Sequence, residues 1–136
     1  MPLHGCWSSL GRQNGGQFIS LSRPGCLSHR TVQHEVLHAL GFHHEQVRSD
    51  RDAYVKILFE NIKEGKYDQF RKVRTHNLGT PYDFTSVMQY EKYAFSKNGL
   101  PTIVAQFNPF YDWGRATQMS ANDIARVNRL YQCSES

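Results

Sequence analysis

Apolar positions along the chain fall into two kinds of period. Val32, Val36, Ala39 and Leu40 recur at the spacing of one helix face, which predicts a helix. It starts near Ser28 or Thr31, both N-cap residue types. It stops at Gly41, because glycine enters the left-handed conformation that closes many helices without strain. Upstream, residues 17–21 (QFISL) alternate weakly and read as a short strand between a Gly/Asn turn over 11–16 and the breaker Arg23-Pro24-Gly25. Residues 54–59 (YVKILF) have strand composition. Residues 63–73 predict a short amphipathic helix carrying Tyr67, Phe70 and Val73, and 75–85 a loop with Gly79 and Pro81. Residues 90–95 and 102–105 predict a hairpin across Lys97-Asn98-Gly99, and 106–119 are irregular. A last helix starts at Ser120, with Asp123 placed to complete a capping box. It carries Ile124, Val127, Leu130 and Tyr131 on one side.

The first helix also carries chemistry. At about 100° per residue, with Val32 at 0°, Val36, Leu40 and Ala39 fall near 40°, 80° and 340°. His34 and His38 fall near 200° and 240°, and Glu35 near 300°. The helix thus has an apolar side for a core and a separate side bearing two imidazoles four residues apart, which stack on one face and can reach one ion. His34-Glu35-x-x-His38 is the helical zinc pattern in which the glutamate is the base. Gly41 follows His38 by three residues and His44 follows Gly41 by three. The helix therefore ends at a residue that can turn sharply, and a third imidazole is presented back toward the first two. Three protein nitrogens with an open fourth position make a catalytic zinc site, whereas a structural site is closed by four protein ligands. His43, one residue short of that spacing, is the bystander. Glu35 points to a different sector from the two helical histidines and sits beside the water that such a zinc activates, where a carboxylate can take its proton and pass it to a leaving amine.

Composition narrows the setting. A chain of 136 residues is one domain at most, and 39% hydrophobic with 21% charged residues is ordinary for a soluble globular protein. No run of about 18 apolar residues occurs, so no membrane span is expected. The first eleven residues, MPLHGCWSSLG, have neither a charged n-region nor an apolar h-region, so no signal peptide is visible. The chain either stays inside the cell or is a piece of a longer precursor. The formal charge of +4 is spread among interleaved acids, and the one locally basic stretch, 63–74, reads as a solvated helix face. A nucleic-acid-binding domain with structural zinc needs a fourth protein ligand and a basic recognition helix, and neither is visible, so no nucleic-acid partner is expected. Cys6, Cys26 and Cys133 are an odd count with no CxxC, which suggests a free thiol or a partner outside this chain.

HEVLHALGFHHEQVRSDRD, taken together with SVMQY, resembles the astacin family of metzincin zinc endopeptidases. The family's continuation GFxHExxRxDRD is matched from Gly41 to Asp52. Further similar stretches are Gly5-Cys6-Trp7-Ser8, YAFSKNGLPTI and NDIARVNRLYQC, so the likeness covers residues 5–133, and its style is similar to the hatching-enzyme and nephrosin branch. The resemblance implies an α+β, zincin-like protease fold of two lobes across a cleft, with a long zinc-binding helix and a C-terminal helix. Residues 1–44 would be the remnant of an incomplete upper lobe, and 45–136 the lower lobe. It implies one catalytic Zn2+ on His34, His38 and His44, Glu35 as base, and Met88 in the turn beneath the metal. Tyr90 would be a possible additional ligand that swings off to stabilise the oxyanion, although by composition alone it reads as an ordinary aromatic. Cys6 and Cys26 match a family disulfide. Cys133 matches half of a second one whose partner would lie before residue 1, leaving it unpaired here. Cys6-Trp7-Ser8 is similar to the edge strand that pairs with extended substrate. Polypeptide substrates, a monomeric state and a secreted location are implied in the same way.

The chain also departs from the family. A complete catalytic domain would carry about 50 to 60 further residues before Gly5, including the mature N-terminus that is buried near the residue matching Glu45. Gln89 stands where histidine is usual and His43 where tyrosine is common. Two functions are therefore expected: a zinc endopeptidase working through Glu35 and, as the alternative, a catalytically inactive zinc-binding fragment.

Overall fold

The computed structural model describes residues 5–114 and 116–133. Among the described residues the fold is α+β, with two α-helices and two small antiparallel sheets. The chain divides into two compact units.

The first unit comprises residues 5–43, Ser86–Met88 and 116–133. Strand β1 (Cys6–Ser8) pairs antiparallel with β2 (Ile19–Leu21), Cys6 opposite Leu21 and Ser8 opposite Ile19. The Cys6–Cys26 disulfide, with its Cα atoms 5.6 Å apart, pins this pair to the turn before helix α1 (His29–Ala39). Cys133 is free and exposed. Of the two candidate caps, Ser28 is the one used: its hydroxyl accepts the Thr31 N–H at 3.2 Å. At the other end Gly41 N–H donates to the His38 carbonyl (2.9 Å) and Phe42 N–H to the Leu37 carbonyl (3.0 Å), with Gly41 at φ 109°. This is the Schellman pattern, and its hydrophobic contact is present, since Phe42 packs against the Leu37 cluster. Helix α2 (Ala121–Leu130) opens with the expected capping box between Ser120 and Asp123.

The core of this unit is Leu37, Val87 and Met88, flanked by Leu40, Phe42, Ala116, Met119 and Val127. It lies off the stripe that periodicity marked. Val36 is 39% exposed and Ile124 47%, and Leu130 and Tyr131 are exposed too. Instead of sealing a core, Val32, Val36 and Leu40 of α1 face Met119, Ile124 and Val127 across an apolar groove of about 330 Å³. Periodicity identifies an apolar face; it carries no information about which element covers it.

The second unit comprises His44–Thr85 and residues 89–114. Strand β3 (Val55–Ile57) pairs antiparallel with β4 (Ile103–Ala105), Val55 opposite Ala105 and Ile57 opposite Ile103. The hairpin expected between 90–95 and 102–105 does not form. Residues 92–95 turn, Phe95 takes φ 56°, and the Lys92 carbonyl accepts the N–H groups of Thr102 (2.9 Å) and Ile103 (3.2 Å). The buried positions of β4 match those of β3, so the non-local pairing buries Val55, Ile57, Ile103 and Ala105 together. The expected helix over 63–73 is likewise reduced to one 3-10 turn, Tyr67–Phe70. Gly65 at φ 82° breaks the helical path, and Arg71 is extended, with Val73 N–H bonded to the Val47 carbonyl at 2.9 Å. Phe70 anchors the turn in a core with Ile62, Tyr82 and Trp113. Among the described residues no helix is long and apolar enough to cross a membrane.

Candidate metal centre

His34 and His38 stand one helical turn apart on α1, and each ring is fixed by a main-chain carbonyl. The Val87 carbonyl accepts from His34 Nδ1–H at 2.6 Å, and the Phe42 carbonyl accepts from His38 Nδ1–H at 2.8 Å. The second bond is a product of the Schellman turn, which folds Phe42 back beneath the helix end. A carbonyl can only accept, so both Nδ1 atoms carry the proton and both Nε2 atoms present lone pairs. Those two Nε2 atoms lie 3.1 Å apart. Two facing acceptors repel unless a cation joins them, which is the arrangement outer carbonyls impose on metal-binding imidazoles. Burial also lowers the pKa of His34, with the Arg30 charge, against the raising effects of the Val87 bond and the Asp123 carboxylate. His38 is lowered to about 4, by burial and then by the neighbouring His34. Both shifts favour the neutral, metal-binding form of the ring.

Following the chain past Gly41, His44 comes next to them: one nitrogen from each of His34, His38 and His44 lies within 4.8 Å of the others. His43 is absent from that group, and its pKa is simply lowered by burial. The donor set fits zinc, because it consists of half-buried imidazoles with no fourth His, Cys, Asp or Glu in the cluster among the described residues. Glu35 is buried on the same helix, and that burial raises its carboxyl pKa. Met88 is 2% exposed and packs with Leu37 of α1.

Tyr90, in the second unit, packs its ring against His44 at 4.3 Å between centroids and against Phe95 at 5.7 Å. Its hydroxyl donates to Gln69 Oε1 at 3.5 Å, a long and weak bond. Its main chain is held more firmly. The Tyr90 carbonyl accepts from Trp113 Nε1–H (2.8 Å) and from Gln89 Nε2–H (3.1 Å), and Tyr82 O–H donates to Gln89 Oε1 at 2.6 Å. Gln89 thus acts as a strut on Tyr90.

The charged residues after His44 are braces. Glu45 is buried and accepts the Asp83 N–H at 2.9 Å, with Arg48 at 3.7 Å. Arg48 forks onto Asp50 through two 2.8 Å bonds and reaches the carbonyls of Thr80 and Pro81. Arg51 holds the carbonyls of Gln46 and Phe70. These bonds satisfy loop carbonyls that burial would otherwise leave unpaired. Sequence reasoning found the imidazoles because residue type and spacing signal them. It missed the Val87 and Phe42 carbonyls, which carry no residue-type signal, and it saw Asp123 only as a cap.

Comparison with known proteins bears on the same residues. The family model described as Astacin, a peptidase family, matches residues 1–132. The low choriolytic enzyme of Oryzias latipes is 48% identical over 132 residues, which are 97% of this chain and 49% of that protein. Zinc metalloproteinase nas-7 of Caenorhabditis elegans is 42% identical, over 95% of this chain and 34% of its own length. The chain spans about half the length of the choriolytic relatives it matches. Among solved structures, the high choriolytic enzyme 1 of Oryzias latipes, a hatching-enzyme zinc protease, superposes with a TM-score of 0.91 at 48% identity, covering 96% of this chain and 66% of that one. Myroilysin, at 19% identity and a TM-score of 0.66, shares the fold. A family match over nearly every residue, together with relatives close to half identical, establishes that the chain belongs to the astacin family of zinc peptidases.

Proposed function

We propose that this chain is the zinc-binding part of a secreted endopeptidase that cleaves polypeptides, with His34, His38 and His44 as ligands of one zinc ion. The observation that carries the reading is the pair of carbonyl-locked imidazoles whose unprotonated Nε2 atoms face each other at 3.1 Å. Zinc, when bound, supplies a Lewis acid that lowers the pKa of water and polarises a carbonyl. Glu35 then takes a proton from the attacking water as its oxygen adds to the scissile carbonyl carbon. It returns that proton to the departing amine nitrogen as the C–N bond breaks. The Tyr90 hydroxyl donates to the developing oxyanion. The reading takes residues 1–136 as part of one catalytic domain, 1–44 from its upper lobe and 45–136 from its lower. The Cys6–Cys26 disulfide supports secretion, since such bonds persist in oxidising compartments.

A second reading is that the chain binds zinc without turnover, since it spans about half the length of the choriolytic relatives. Cleavage of casein by zinc-loaded protein separates the two. In the first case Glu35→Ala lowers kcat by about 10² to 10⁴ with zinc retained. Folded, zinc-loaded protein that turns nothing over establishes the second, and undiminished hydrolysis by Glu35→Ala removes Glu35 as the base.

A further inference from the structure

We propose that Asp123 and Ser86 are positioning residues for the zinc ligand His34, acting through a one-directional chain of hydrogen bonds in the turn Ser86–Met88. The chain starts at the ring. His34 Nδ1–H donates to the Val87 carbonyl at 2.6 Å. The N–H of the same peptide group, that of Met88, donates to Ser86 Oγ at 2.9 Å. The Ser86 hydroxyl donates to Asp123 Oδ1 at 2.5 Å. Every donor points the same way, and the last acceptor is a carboxylate only 2% exposed.

Such series polarise cooperatively, the more so away from water. Negative charge at Asp123 makes Ser86 Oγ a better acceptor. That draws on the Met88 N–H, enriches the Val87 oxygen, and strengthens its hold on His34 Nδ1–H. The result at the far nitrogen is a more basic Nε2. The arrangement is the carboxylate–histidine pairing of metal sites with a hydroxyl and a peptide group inserted. Asp123 also fixes the geometry, because its Oδ2 accepts the Val87 N–H and the Ser120 N–H, both at 3.1 Å. Arg126 Nη1 stands 3.9 Å from Oδ1. On His38 it is the Phe42 carbonyl that accepts from Nδ1–H, at 2.8 Å.

The inference rests on the zinc-site reading, so the test measures zinc affinity by competition with a chromophoric chelator on the full chain, its fold checked by circular dichroism. Asp123→Asn and Ser86→Ala are each expected to weaken zinc binding by about 10-fold or more, the usual effect of losing an outer partner. Because the groups act in series, the double variant is expected to be no weaker than the worse single one. Ser86→Thr, which restores the hydroxyl, recovers the affinity. Ser120→Ala removes the hydroxyl that caps the Asp123 N–H and is expected to lower stability without moving zinc affinity. If Asp123→Asn does not fold, the Ser86→Ala and Ser86→Thr pair decides. Unchanged affinity in folded Ser86→Ala protein, or an equal loss in Ser120→Ala, overturns the relay. Zinc binding that survives His34→Ala overturns the zinc site and the relay together.

Discussion

The two faces of α1 are built on opposite terms. The histidine face is fixed by directed bonds: both rings are tied to main-chain carbonyls, at 2.6 and 2.8 Å. The opposite face carries the regular apolar stripe of Val32, Val36 and Leu40, yet opens into a groove with Val36 39% exposed. The more polar face is the better ordered one. Hydrogen bonds to main-chain carbonyls have directions and fixed partners, so they specify one ring orientation. Apolar contact is non-directional and stabilises only as far as something covers it.

The comparison breaks most completely through the ligands. His38→Ala removes one imidazole of three and is expected to abolish stoichiometric zinc in equilibrium dialysis. Zinc at a hundred times its Kd stabilises a protein by about 2.7 kcal/mol, so the natural chain should gain that much in urea unfolding and His38→Ala nothing. Retention of one zinc per chain by this variant would place the metal elsewhere. Next in size is Leu37→Ala. Leu37 is 2% exposed and sits at the centre of the Val87–Met88 cluster, so its truncation leaves a cavity worth about 2–5 kcal/mol. A loss under about 1 kcal/mol would show that this cluster is not a packed core.

What the sequence disclosed follows the same division. Helix α1, its Ser28 cap, its Gly41 stop and the capping box of α2 were legible because each depends on residues within a few positions of one another. The α+β class was legible through motif resemblance. The pairing of β3 with β4 was not, because residues 103–105 are as strand-like beside 90–95 as beside 55–57, and the choice is made by burial shared with residues far away in sequence. The helix expected over 63–73 failed at Gly65, whose positive φ outweighs the apolar spacing of Tyr67, Phe70 and Val73. At the candidate site, residue type disclosed the imidazoles and the glutamate. Their orientation depends on the Val87 and Phe42 carbonyls, which every residue possesses and which only the folded path brings near.

The smallest expected effect is the sharpest test of the open face. Val36 neighbours Leu37 in sequence and is as apolar, so composition alone gives the two positions similar weight. Valine and serine have comparable helix propensities, so Val36→Ser leaves the intrinsic stability of α1 nearly unchanged. With the side chain 39% exposed, the lost burial is partial, and the change in urea unfolding is expected to stay within about 0.5 kcal/mol. Run at a low and a high protein concentration, the same measurement reports on cover. A penalty that grows with concentration means that copies of the chain bury the groove against one another. A penalty above about 1 kcal/mol at both concentrations means that Val36 is buried within its own chain, and the contrast between the two faces of α1 fails. A null effect at both leaves the histidine face as the side of the helix on which the stability of this unit depends.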